Sequence, residues 1–80
     1  MWSIEYAEEA KLYFIDNRDL VFDLLVQIEE LKFAEDGYPP GNWIELETDV
    51  ILWSVLNHLV IFQRRETDHH LRIAVVKPVL

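Results

Sequence analysis

Both glycines and two of the three prolines of this 80-residue chain fall within five residues, Gly37-Tyr38-Pro39-Pro40-Gly41. Proline cannot continue a helix and restricts the residue before it, so this segment must end whatever precedes it. The hydrophobic period differs on its two sides. Before it, Leu20, Val21, Leu24, Leu25, Ile28 and Leu31 recur at helical spacing, with Asp23, Gln27, Glu30 and Lys32 between them. After it the period is two. Trp43, Ile44 and Leu46 alternate with Glu45 and Glu47, and Ile51–Leu56 and Leu59–Arg64 read as a hairpin about Asn57-His58. Glu66-Thr67-Asp68 reads as a polar turn, and His70–Val76 as the last strand.

The first nineteen residues hold two more elements. Met1–Tyr6 alternates, with Trp2, Ile4 and Tyr6 on one face and Ser3 and Glu5 on the other. Ala7–Phe14 switches to a helical period with Glu8 and Glu9 in its first turn, where they favour the helix dipole. Asp16-Asn17-Arg18-Asp19 predicts a break and a new start, with Asp16 as N-cap. The expected order is β-α-α-β-β-β with a short extra strand. This is an α+β fold, a two-helix hairpin packed on one face of an antiparallel sheet.

Length allows one domain, residues 1–80, that buries about 60–65% of its unfolded surface and has little stability to spare. A hydrophobic content of 51% excludes a disordered chain. With no cysteine there is no disulfide framework, thiolate metal site or thiol nucleophile. Net charge is −8, unevenly spread. Up to Asp49, Lys11, Arg18 and Lys32 stand against thirteen acids, a balance of −10. From Val50 onward, Arg64, Arg65, Arg72 and Lys77 stand against Glu66 and Asp68, a balance of +2. An acidic chain is a poor ligand for a phosphate backbone, so nucleic acid is not an expected partner. The N-terminus shows no export signal and Val50–Phe62 is too short for a membrane span, so the expected location is cytoplasmic.

The order of elements resembles the RelE/ParE toxin superfamily of type II toxin–antitoxin pairs. The features that carry the resemblance are Ile4-Glu5-Tyr6 leading into Glu8-Glu9-Ala10 and a helix pair whose second member reads Ile28-Glu29-Glu30-Leu31. Pro39-Pro40-Gly41 follows, and then a meander with Trp53-Ser54-Val55 and Val60-Ile61-Phe62. The resemblance implies a toxin-like protein that pairs with an antitoxin through protein–protein contact. It also carries departures. Members that cut mRNA on the ribosome are usually basic, with a cationic sheet face and tail. Here Leu59 stands where a basic residue is common, and the chain stops at Val79-Leu80, about where the last catalytic residues lie. The expected protein therefore lacks nuclease activity. In the alternative, an mRNA-cleaving toxin, Arg64, His70 and Arg72 handle phosphate and proton transfer. A third reading is a stand-alone homodimeric interaction domain.

The candidate site depends on register. If the last hairpin pairs Arg65 with His69, and the Asn57-His58 turn has two residues, one open face carries Trp53, Val55, Val60, Phe62, Arg64, His70 and Arg72. A one-residue slip reverses such assignments. That face suits a stacked nucleotide, an acidic amphipathic partner, or simply a bare sheet with Arg72 over Phe62 as a cation–π contact. Partner binding is the preferred reading, because an apolar patch with Trp and Phe is large for a monomer. Self-association into a dimer follows, since helices cover only one side of strands apolar on both. His69 and His70 point to opposite faces of a strand and cannot chelate one ion together, so neither a metal nor a cofactor is expected. Glu8-Glu9 and Glu29-Glu30 read as solvated helix surface.

Overall fold

The computed structural model describes residues 1–79. It is an α+β structure in which one helix packs on a five-stranded mixed sheet. Strand β1 (Ser3–Tyr6) leads into helix α1 (Glu8–Glu29), which tightens into a 3-10 turn over Glu30–Phe33. The glycine–proline segment follows. Strands β2 (Asn42–Glu47), β3 (Val50–Val55), β4 (His58–Arg65) and β5 (His70–Pro78) then form an antiparallel meander. Strand β1 pairs parallel to β5, so the sheet order is β1-β5-β4-β3-β2. No helix among the described residues is long and apolar enough to cross a membrane.

The expected two-helix hairpin is corrected to one kinked helix, and the expected antiparallel sheet to a mixed one. The break foreseen at Asp16–Asp19 is real but local. Asn17 and Val21 leave helical geometry (φ −128° and −122°), and the Asn17 side-chain amide donates to the Tyr13 carbonyl at 2.9 Å. Such a bond competes with the backbone ladder and bends a helix. It does not reverse the chain, which would need a connecting loop. The buried residues Ala10, Phe14, Val21, Leu24, Ile28 and Leu31 stay in phase across the kink, so one stripe faces the sheet throughout. Asp16 is an interior helix residue. The N-cap is Ala7, whose side chain makes no capping bond, and Glu8 and Glu9 supply the favourable charge instead.

The core lies between this stripe and the inward side chains of the sheet: Ile51, Trp53, Val60, Phe62, Leu71, Ile73 and Val76. Polar bonds fix the helix over it. The Tyr6 hydroxyl donates to Glu29 at 2.5 Å. Burial first, and this bond second, push the Tyr6 phenol far above its ordinary value, so it remains a donor. At the other end His58 Nδ1 bonds the Leu56 carbonyl at 2.8 Å, leaving Nε2 to accept from the Tyr13 hydroxyl at 2.7 Å.

The glycine–proline segment is a lid over the sheet edge. Trp2 is buried there between His69, stacked at 4.5 Å, and the Arg64 guanidinium, 5.2 Å from its ring centroid. Gly37 has φ +76°, and a Cβ added to it would sit 2.8 Å from the Trp2 ring. Both the left-handed backbone and the close approach require glycine. Gly37→Ala is therefore expected to cost about 1–3 kcal/mol in a urea melt. Gly41→Ala, with φ +81° but open space around it, isolates the backbone share of that cost.

Candidate interaction face

Strand alternation divides the sheet into a face covered by α1 and a face that none of the described residues covers. The register decides which residues belong to each. The tight turn between β3 and β4 is Leu56-Asn57, both at positive φ (48° and 60°), rather than Asn57-His58. This is the left-handed pair that a two-residue hairpin needs, and it sets Trp53 opposite Val60 and Ile51 opposite Phe62. The next connection spans four residues, Glu66 to His69, because His69 takes the left-handed conformation at φ 50°. It pairs Arg65 with His70, Arg64 with Leu71 and Gln63 with Arg72.

The predicted set therefore divides. Trp53, Val60 and Phe62 are wholly buried in the core under α1, and Val55 is half-buried against it. Their expected place on the open face is corrected. Arg64 belongs to the covered side as well, with a side chain only 10% exposed. Its Nε donates to the Asp36 carbonyl at 2.7 Å, it forms ion pairs with Asp49 and Glu66, and it stacks 4.4 Å over Tyr38. It clamps the glycine–proline segment to the sheet. Of the predicted set, only the side chains of His70 and Arg72 lie on the open face; Arg64 borders the same concavity, but its guanidinium is turned to the covered side. The cation–π contact foreseen between Arg72 and Phe62 is absent, since the two side chains point to opposite faces.

The open face is built from residues the sequence reading had not gathered. Leu52, Leu59, Ile61 and Val75 lie on adjacent strands, each half-buried only by its neighbours. Ile44, opposite Leu52, extends this apolar floor to the exposed edge strand β2. A shallow groove at that corner is lined by Asn42, Ile44, Leu52, Ser54 and Leu59 among others. The floor was visible in the sequence as strands apolar at nearly every position. What was not visible was which alternate set the helix takes.

The opposite corner is polar. Pairing of β1 with β5 puts Ser3 beside His70 and Glu5 beside Arg72. Glu5 accepts from His70 Nε2 at 2.8 Å, which leaves Nδ1 2.8 Å from the Ser3 hydroxyl, its donor in the neutral ring. Arg72 Nε is 3.8 Å from the other Glu5 oxygen. Gln63 and Arg65 border the same concavity, and Arg65 holds Asp68 in a two-pronged pair at 2.6 and 2.7 Å. No match is found among protein-family models, curated proteins or solved structures. The face is read on its own chemistry.

A hydroxyl, an imidazole and a carboxylate in series is the order that activates a serine nucleophile. Ser3 and Glu5, however, are exposed, without the dry, preorganised surroundings that give such a series its catalytic effect. Its evident role is to fasten the four-residue edge strand β1 to β5. The hydrogen bond from His70 holds the Glu5 carboxyl below its ordinary value, and the charges of His70 and Arg72 add to this. A carboxyl whose folded pKa is depressed stabilises the fold above its unfolded pKa and loses that stabilisation as pH falls through the folded value. Wild type is thus expected to exceed Glu5→Gln in urea midpoint at pH 7, with the difference closing below about pH 4. A difference that persists at pH 3 would show that Glu5 acts through something other than its charge.

Proposed function

We propose that this chain acts by protein–protein contact, with the open sheet face receiving an acidic, amphipathic segment of a partner. The observation that carries the reading is the uncovered floor of Leu52, Leu59, Ile61 and Val75 beside Arg72. Sheets apolar on both faces are ordinarily covered on both. The charge on this face also has a sign. Arg65, Arg72 and Lys77 stand there against Glu5, Glu47 and Asp68, but Asp68 is held by Arg65, so Arg72 and Lys77 are the charges beside the floor, in a chain whose net charge is −8. A local cationic margin on an acidic body attracts an acidic peptide while the body repels bulk nucleic acid.

The toxin–antitoxin setting rests on the order of elements, and the single helix removes one feature that carried it. The chemistry of the face supports the docking reading without that setting. The nuclease alternative needs Arg64 beside His70 and Arg72, and Arg64 is committed to the other side of the sheet.

The test is an NMR titration of the isotopically labelled protein with a designed helical peptide bearing one leucine stripe and flanking glutamates. A lysine-flanked version serves as control. Shifts confined to the open-face strands with the acidic peptide, weakened at least tenfold by Arg72→Glu, are the expected result. No shift, or equal binding of both peptides, overturns the reading. Salt-sensitive RNA binding at about 150 mM salt would favour nucleic acid instead.

A further inference from the structure

Helix α1 carries a second apolar line that nothing in the fold uses. Opposite its buried stripe, Ile15, Phe22 and Val26 recur at intervals of seven and four residues, which keeps them on one side of the helix, and Phe33 follows in the 3-10 turn. Phe22 is 64% exposed and Phe33 73%, extreme values for phenylalanine in a folded domain. Phe22, Val26 and Phe33 line one shared groove, together with Leu25 and Lys32, so these three are contiguous. Alongside the line run Asp16, Asp19, Asp23 and Glu30, about 40–100° around the helix at 3.6 residues per turn. The outer face of α1 is itself an acidic amphipathic helix surface, which is the chemistry the open sheet face suits.

We infer that the occupant of the open sheet face is a second copy of this chain, docked through the outer face of its helix. The inference rests on the docking reading above and names the partner. Charge complementarity supports it: the cationic margin of Arg72 and Lys77 meets the acidic row of Asp19, Asp23 and Glu30. Burial supports it as well. Each chain leaves an apolar sheet face and an apolar helix line uncovered by its described residues, and docking one on the other removes both from water. The two surfaces lie on opposite sides of the molecule, so the contact is heterologous. It leaves a free sheet face at one end and a free helix face at the other, and repeats into a ring or an open chain rather than stopping at a symmetric pair.

Sedimentation velocity of the full chain tests this with two half-blocked variants. Leu52→Lys/Arg72→Glu disables the sheet face, and Phe22→Ser/Asp23→Lys disables the helix face. Wild type is expected to grow beyond a dimer between about 5 and 200 µM, in line with the affinities of ordinary protein contacts. Each variant alone should associate at least tenfold more weakly, and an equimolar mixture should give a single one-to-one complex. Circular dichroism confirms folding; should a double variant lose its helical signal, Arg72→Glu and Asp23→Lys alone provide the same pair. A wild type that stays monomeric at 200 µM overturns the inference. So does a dimer that survives the helix-face variant, which would be a symmetric sheet-to-sheet contact. A monomeric wild type that still binds the acidic peptide would overturn self-docking and leave the open-face reading intact, whereas failure of both removes the two together.

Discussion

Trp53→Ala is expected to remove a large part of the protein's stability at 25 °C. Trp53 is 1% exposed, on β3 opposite Val60 of β4 and Trp43 of β2, and its indole N–H donates to the Pro40 carbonyl at 2.9 Å. Truncation of a buried tryptophan costs about 3–5 kcal/mol, and a chain of this length has about 4–12 kcal/mol in total. The loss also frees the glycine–proline segment, because the Pro40 carbonyl loses its donor. Trp53→Phe keeps most of the volume and removes the hydrogen bond, so its cost should fall to about 1–2 kcal/mol. Urea denaturation followed by circular dichroism measures both. A folded, wild-type-like Trp53→Ala would return Trp53 to the open face and reverse the β3–β4 assignment.

Leu24→Ala and Leu20→Ala should differ by several kilocalories per mole, although both residues belong to the same apolar stripe in the sequence. Leu24 is 2% exposed and sits in the core with Leu71 and Ile73, while Leu20 is 85% exposed. The expected cost is about 2–5 kcal/mol for Leu24, from lost transfer energy plus the cavity left behind. For Leu20 it is within about 0.5 kcal/mol of zero. Thermal melts of the two variants side by side give the comparison. Equal losses would mean that α1 is rotated from the orientation described here.

The contrast between Leu20 and Leu24 shows where the sequence was ambiguous. A helix with apolar residues on two sides has no single stripe to read, and seven leucines, isoleucines and valines from Leu20 to Leu31 satisfy a helical period several ways. Extending the window to Ala10 and Phe14 removes the ambiguity, because the line through Val21, Leu24 and Ile28 continues in phase to both, whereas the line through Phe22 and Val26 stops at Ile15 and meets Lys11 and Glu8. The same continuity marks one helix rather than a hairpin. Asn17 weakens the ladder locally, yet no loop intervenes between Tyr13 and Val21 to turn the chain back.

Local chemistry was enough to read the alternation of β1, the end of the helical half at Gly37–Gly41, the meander that follows and the open-face position of Ser3 and Glu5. Each of these depends on residues close in sequence: a two-residue period, a proline that forbids helix, a glycine that permits positive φ. The tertiary structure decided the rest. Pairing of β1 with β5 joins Ser3 to His70 across sixty-six intervening residues, a contact no local pattern specifies. The position of Trp53, Val60 and Phe62 under the helix, and of His70 and Arg72 away from it, turned on one residue. His69 in the left-handed conformation lengthens the last turn from three residues to four. Because strand side chains alternate with a period of two, that single added residue moved one half of the predicted site into the core and left the other half on the open face.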